Sequence, residues 1–251
     1  MPKEIEALLK EDTVEKDAMG RSKAGVFFLS SIYGPAVLKI EKESAESLRE
    51  YTMLSWLYEK GLAPKVYRRV VENEVSYLLM ARLQGKMAAE MENLQAPEKT
   101  ARFLAEGIKM LAALPARECP VSYPLAAKLE AARERVAQGL VNMADWEAET
   151  EFTSPATLLA YLEANKPEET LSVTHGDYCL PNVFFAEEKV TGFVDLGRAG
   201  LADVWQDIAV CVRSLRHNFL EKAPLESFFA ALAMKPNREK INYYILLDEL
   251  F

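Results

Sequence analysis

The pattern of apolar and polar positions changes character near residue 84. Before that point short β-rich runs dominate. Val26-Phe27-Phe28-Leu29-Ser30 and Ala36-Val37-Leu38-Lys39-Ile40 flank a turn at Tyr33-Gly34-Pro35. Pro64-Lys65-Val66-Tyr67-Arg68 and Val75-Ser76-Tyr77-Leu78-Leu79-Met80-Ala81 read as two further strands. A short amphipathic helix is expected over residues 3–10, and a longer one over residues 44–60, where Glu46, Glu50 and Met53-Leu54 fall on related faces. Beyond residue 84 the apolar positions return at helical spacing. Helices are expected over residues 100–114 (with Pro115 past the end), 125–141, 155–164, 202–219, 224–233, and from Pro236 to Phe251. The pattern predicts an α+β protein with a small β-rich lobe over residues 1–84 and a larger, mainly helical lobe over residues 85–251.

One stretch of the helical part breaks the pattern. Leu171-Ser172-Val173-Thr174 reads as a strand that delivers His175-Gly176-Asp177-Tyr178-Cys179-Leu180-Pro181-Asn182. Val183-Phe184-Phe185 and Val190-Thr191-Gly192-Phe193-Val194 then flank a polar tip, Ala186-Glu187-Glu188-Lys189, and Asp195-Leu196-Gly197-Arg198 follows. The spacing is His-x-Asp-x-x-x-x-Asn, then Asp-x-Gly, which protein kinases use for their catalytic and metal-binding loops. Phosphoryl transfer explains it. A carboxylate must orient the attacking hydroxyl and accept its proton, and oxygen ligands must hold Mg²⁺ on the nucleotide phosphates. Asp177 suits the first task, Asn182 and Asp195 the second. Any one of the three alone reads as an ordinary turn residue; the spaced set between strands is what carries chemistry.

Composition narrows the partners. The chain has 251 residues, 50% of them hydrophobic, enough for a substantial core in one large domain or two lobes. Its formal net charge is -8, which argues against nucleic acid or an anionic membrane and fits a cationic ligand. Three scattered cysteines give no disulfide framework, and two histidines give no zinc cluster. The charged N-terminus lacks the apolar core of a signal peptide, and no apolar run is long enough to span a bilayer, so a reducing cytoplasm is expected.

The motif changes how other residues read. Lys39 on a strand is by itself an ordinary solvated lysine. A kinase, however, needs a lysine on the α- and β-phosphates and a glutamate to hold it, and Glu50 could reach across. The small-residue loop Met19 to Gly25 could approach phosphates, although it is no Walker A sequence. The strand ending at Ala81 leads into the helical part where a kinase has its interlobe hinge, so backbone groups of Ala81 and Leu83 would meet an adenine. Asp207, on the helix after the motif, could brace the catalytic loop. The acidic segment from Asn142 to Glu151 reads either as a solvated loop or as a flap over a cationic ligand. Asp248, Glu249 and the carboxylate of Phe251 crowd anions at the negative end of a helix, where a bound polycation would relieve a cost of about 0.3–1 kcal/mol each.

Taken together, His175-Gly176-Asp177 through Asn182, Gly192 through Arg198 with Asp203 and Asp207, and the ending Leu247-Asp248-Glu249-Leu250-Phe251 resemble the aminoglycoside 3′-phosphotransferases, the kanamycin and neomycin kinases. The resemblance covers essentially the whole chain and is strongest from residue 171 onward. It implies a bilobal, protein-kinase-like fold and transfer of the γ-phosphoryl of ATP, or of GTP, to a 3′-hydroxyl, conferring resistance. It implies Asp177 as the catalytic carboxylate and Asn182 and Asp195 as Mg²⁺ ligands. Ser22, Lys39, Glu50, Met80, Ala81, Leu83, Phe184 and Val194 would bind nucleotide. Asp145, Glu147, Arg198, Asp248, Glu249 and Phe251 would bind the drug. A monomer or weak dimer is expected. The chain departs from some members at Val37, where they place an aromatic against the adenine, and at His217-Asn218, where they carry acids. The second departure implies a less negative patch and a narrower substrate range. The alternatives are a kinase for another small hydroxylated amine or metabolite, and a non-catalytic nucleotide-binding protein. Intact Lys39, Asp177, Asn182 and Asp195 argue against the last.

Overall fold

The computed structural model describes residues 1–10, 15–16, 24–147 and 150–251, without the side chain of Asp145. Its elements in chain order are α1 (Lys3–Glu6), β1 (Glu15–Lys16), β2 (Gly25–Ser31), β3 (Gly34–Lys42), α2 (Ala45–Glu59), β4 (Val66–Glu72), β5 (Val75–Ala81), β6 (Lys86–Met87), α3 (Met91–Leu94) and α4 (Pro97–Ala112). There follow α5 (Leu125–Ala137), α6 (Pro155–Ala164), β7 (Leu171–Thr174), β8 (Val183–Ala186), β9 (Lys189–Phe193), β10 (Gly200–Asp203), α7 (Val204–Asn218), α8 (Ala223–Leu232) and α9 (Arg238–Asp248). Two compact units form, residues 1–86 with 184–198, and residues 87–183 with 199–251.

In the first unit the antiparallel sheet runs β1-β2-β3-β5-β4. Strand alternation sends Ala36 and Leu38 of β3 into a core with Ile5 and Leu79. Lys39 is thereby turned to the opposite face. Helix α2 starts at a Ser44–Ser47 capping box and buries Glu50, Met53, Leu54 and Leu57, spaced i, i+3, i+4, i+7. Glu50 is therefore in line with the apolar stripe, on the one face of α2 that water does not reach.

The expected boundary at residue 84 falls at 86, and residues 184–198, expected in the helical lobe, cluster with the first unit. The cause is a long-range backbone tie. Phe193 N–H donates to the carbonyl of Leu62 at 2.9 Å, and Thr191 Oγ1 donates to that of Gln84 at 2.9 Å. Gly192 permits the approach: its φ is +155°, and a Cβ there would stand 2.9 Å from the Leu62 oxygen.

In the second unit α4 packs on α8 and α7 on α9. Strands β7 and β10 pair antiparallel, Thr174 opposite Gly200. The helix expected from residue 202 begins at Val204, because residues 200–203 complete that ladder and Asp203 caps the helix by accepting from Trp205 N–H at 3.2 Å. The helix expected to reach residue 141 stops at Ala137, ahead of Gly139 with φ +66°. The first helix ends at Glu6 and the last at Asp248. Among the described residues no helix is long and apolar enough to cross a membrane.

Candidate active site

The first unit holds a buried charge cluster. Lys39 Nζ lies 2.7 Å from Glu50 Oε2 and 2.9 Å from Asp195 Oδ1, with Glu41 Oε1 at 3.8 Å. Lys39 is 8% exposed and Glu50 1%, whereas the Asp195 side chain is 45% exposed. Burial works against the Lys39 ammonium, but Glu50, Asp195 and Glu41 outweigh it and hold its pKa above the ordinary lysine range. Burial pushes the Glu50 carboxyl upward while Lys39 pulls it down; the ammonium at 2.7 Å decides for the ion pair. The Lys39–Glu50 pairing was legible in the sequence. The direct Lys39–Asp195 contact was not. Asp195 also takes a left-handed backbone, φ +58°, a strained conformation costing about 1–3 kcal/mol for a non-glycine residue. Arg49 Nε donates to the Gly197 carbonyl at 3.0 Å and so ties α2 to the same loop.

The residues expected around an adenine also lie in this unit. Met80 is buried and stands opposite Val37 in the β3–β5 register. The Ala81 N–H is taken by the Lys65 carbonyl at 2.8 Å, and Arg82 N–H by the Pro35 carbonyl at 3.1 Å. An adenine edge would thus find the Ala81 carbonyl, not its N–H. Leu83, Phe184 and Val194 are half-buried. Ala81 and Leu83 also border an open cavity of about 410 Å³ with Tyr58, Lys65 and Lys189; Lys39, Phe184 and Val194 do not line it, so it is not the space the nucleotide reading requires. Ser22 lies outside the described residues.

In the second unit the catalytic-loop sequence is pinned by its backbone. Asp207 of α7, fully buried, accepts from His175 N–H at 2.7 Å (Oδ2) and from Gly176 N–H at 2.8 Å (Oδ1), the brace expected of it. Gln206 Nε2 donates to the Gly176 carbonyl at 2.8 Å. Leu180 N–H meets Ser214 Oγ at 3.1 Å, and the buried Tyr178 hydroxyl donates to the Leu104 carbonyl at 2.8 Å. Asn182 Nδ2 reaches the Asp177 carbonyl at 3.0 Å and its Oδ2 at 3.2 Å. The side-chain amide therefore steadies Asp177 from the far end of the loop and keeps Oδ1 as its acceptor.

A second cluster gathers where α9 ends. Trp146 Nε1 donates to the Glu249 carbonyl at 2.8 Å and Glu147 N–H to Glu249 Oε1 at 3.0 Å, so this part of the acidic segment is tied to the chain end. Arg213 of α7 pairs with Asp248 and lies 3.9 Å from Glu147 Oε1. Arg135 Nε donates to the Leu250 carbonyl at 2.9 Å, and its guanidinium lies over the Phe251 ring, 5.7 Å from the centroid. The anions expected to wait for a polycation thus already have two arginines, which the sequence reading missed. Burial works against the Arg213 guanidinium; Asp248, Asp177 and Glu249 outweigh it and hold its pKa above the ordinary arginine range. Burial raises the Glu249 carboxyl, opposed by the Glu147 N–H and Arg213. Arg198, expected with these residues, belongs to the first unit, its Nε 3.5 Å from Glu46 Oε1.

A lysine clamped by two carboxylates on a sheet, and an Asp-to-Asn loop braced by a buried aspartate under a helical layer, define a protein-kinase-like α+β phosphotransferase. The chain belongs to the phosphotransferase enzyme family, whose pattern it matches over residues 13–244. It is 38% identical, over 99% of its length and 97% of the relative's, to an aminoglycoside 3′-phosphotransferase of Enterococcus faecalis. Among solved structures it resembles an aminoglycoside-3′-phosphotransferase of type VIII, with TM-score 0.82 and 31% identity over 96% of this chain and 94% of that one. It also resembles the aminoglycoside phosphotransferase APH(3″)-Id from Streptomyces rimosus in complex with ADP and streptomycin, with TM-score 0.78 and 28% identity over 94% and 92% of the two chains.

Proposed function

We propose that the protein transfers the γ-phosphoryl group of ATP to the 3′-hydroxyl of kanamycin- and neomycin-type aminoglycosides and so confers resistance to them. The observation that carries this reading is the double hold on Asp177, from Asp207 and Gln206 behind the preceding peptide and from Asn182 beside the carboxylate. Near-full-length similarity to named 3′-phosphotransferases supplies the substrate class.

Asp177 orients the 3′-hydroxyl and accepts its proton as that oxygen bonds to the γ-phosphorus. The bond from phosphorus to the β,γ-bridging oxygen breaks, and ADP leaves with the electron pair. Lys39, locked between Glu50 and Asp195, supplies a fixed positive charge to the α- and β-phosphates. Met80, Ala81, Leu83, Phe184 and Val194 are assigned to the base site. Among the described residues no cluster of three or more His, Cys, Asp or Glu groups could hold a metal by itself. Mg²⁺ characteristically takes one or two carboxylates and completes its shell with phosphate oxygens and water, so the hard oxygens of Asn182 and Asp195 fit it. When bound, Mg²⁺ would neutralise charge developing on the phosphates. Glu147, Asp248, Glu249 and Phe251 are assigned to the drug site, with Asp145 added by resemblance, and carboxylates there grip ammonium groups. Because a loose transition state leaves little covalent work, positioning and charge carry the rate.

The test is ADP release from ATP and Mg²⁺ with kanamycin, neomycin and an analogue lacking the 3′-hydroxyl. Release with the first two alone is expected. Release with the analogue refutes the regiochemistry, and no drug-dependent release refutes the substrate class. Asp177→Ala is expected to lower turnover by about 10³-fold with nucleotide binding retained; loss of nucleotide binding in that variant would count against Asp177 as the catalytic carboxylate.

A further inference from the structure

The second unit buries a lysine that the mechanism above does not use. Lys128 of α5 is 2% exposed, whereas Glu130, Arg133 and Glu134 on the same helix are turned to water. Its ammonium hydrogen-bonds to Gln206 Oε1 and lies 5.1 Å from the centroid of the Tyr123 ring. Gln206 passes the contact on, its Nε2 donating to the Gly176 carbonyl at 2.8 Å. The next residue is Asp177.

Hydrogen-bond polarity gives this chain a direction. An ammonium can only donate, so it fixes which end of the Gln206 amide faces it: Oε1 toward Lys128, and hence Nε2 toward the Gly176 carbonyl. Gly176 has φ +86°, a conformation that a glycine does not itself hold to one value. Its N–H is gripped by Asp207 and its C=O by Gln206. Lys128 also lowers the cost of burying the neighbouring Asp207 carboxylate, against a larger desolvation effect that raises its pKa. A buried ammonium is costly to keep. Here it secures the Gln206 side chain that holds the Gly176 carbonyl, next to the carboxylate that holds the Gly176 N–H.

We propose that Lys128 is a positioning residue for phosphoryl transfer, acting through the Gln206 amide on the Gly176–Asp177 peptide to aim the Asp177 carboxylate. This rests on Asp177 being the catalytic carboxylate, and the experiment separates the two. Full-length wild type, Lys128→Met, Gln206→Glu, their double variant and Asp177→Asn are assayed with ATP, Mg²⁺ and kanamycin, and their melting temperatures are measured. Gln206→Glu keeps an acceptor for Lys128 but removes the donor to Gly176. It is expected to lower kcat by about 10–100-fold, the scale of a small misplacement at a reacting centre, with both KM values within about 3-fold of wild type. Its melting temperature should stay close to wild type, because the Lys128 pairing survives. Lys128→Met should show the same split in kcat and KM, and the double variant should be no slower than the slower single. Wild-type kcat in folded Gln206→Glu, or additive losses in the double variant, overturns the proposal. If Lys128→Met does not fold, Gln206→Glu carries the test alone. Wild-type kcat in Lys128→Met beside an inactive Asp177→Asn refutes the brace alone, whereas an active Asp177→Asn overturns the catalytic assignment and the brace with it.

Discussion

The Lys39 cluster and the cluster at the end of α9 are both built of carboxylates around a basic residue, and they differ in how they are held. Lys39 and Glu50 are sealed between sheet and helix, and Asp195 reaches them from a strained, left-handed backbone. Every charge there has a partner within the fold. At the end of α9, Arg213 is shared by Asp248 and, more distantly, Glu147, while Glu249 is held by an N–H group of a loop. In the first cluster geometry is fixed before anything binds. In the second, Asp248 and, more distantly, Glu147 share one guanidinium, so an incoming ammonium meets carboxylates that can be re-partnered. The difference matches the two tasks proposed for them: nucleotide phosphates always arrive with the same charge geometry, whereas aminoglycosides vary in the number and spacing of their ammonium groups.

The largest effect should come from breaking the sealed cluster. Glu50→Ala leaves a buried ammonium with Asp195 and the more distant Glu41. Removing one partner of a buried pair costs on the order of 3 kcal/mol. For a chain of this size that lowers the melting temperature by about 6–12 °C. The kcat/KM for ATP should fall by about 10²-fold, because Lys39 would then swing toward Asp195 and away from the phosphates. A variant with unchanged melting temperature and unchanged kcat/KM for ATP would show that the first cluster is no more rigid than the second.

A smaller, drug-specific effect is expected at the second cluster. Deleting Leu250-Phe251 removes the carbonyl that Arg135 Nε engages and the ring beneath its guanidinium, and loosens Glu249 just before them. The KM for kanamycin should rise by about 10-fold, equivalent to roughly 1.4 kcal/mol, while the KM for ATP stays put. Parallel changes in both KM values would mean that this end of the chain is structural and does not belong to the drug site.

How much of this was legible in the sequence follows from where each partner sits. The helices from residue 97 onward and the strands around the motif came from local periodicity. Glu50 could be read because it shares the buried face of α2 with Met53, Leu54 and Leu57. Asp207 could be read because it lies on the helix that follows the motif. Arg135, Arg213 and Lys128 could not. Each is a basic residue on a helix, where solvation is the ordinary expectation, and each finds its partner far along the chain: Leu250 for Arg135, Asp248 for Arg213 and Gln206 for Lys128. The membership of residues 184–198 in the first unit was hidden for the same reason. It rests on long-range ties, among them the Phe193–Leu62 and Thr191–Gln84 hydrogen bonds and the Lys39–Asp195 pair, and on a glycine that lets the first form.

The finest test uses pH and a single carboxyl. Burial is the largest influence on Glu249 and raises its pKa; the Glu147 N–H and Arg213 oppose it, and the Glu147 and Asp248 carboxylates add to it. Drug binding needs the carboxylate, so the KM for kanamycin should climb as pH falls through this raised pKa, at a pH where an ordinary glutamate would still be ionised. Stability should run the other way. A carboxyl whose folded pKa exceeds its unfolded one contributes stability below the unfolded value and loses it as pH rises through the folded value. Glu249→Gln should therefore gain on wild type in melting temperature as pH rises across that window, by less than about 1 kcal/mol for one partly screened group, while its KM for kanamycin is raised and stays flat over the same range. The two opposite slopes belong to one proton. If the glutamine variant kept the wild-type pH dependence of KM, Glu249 would not be the titrating group.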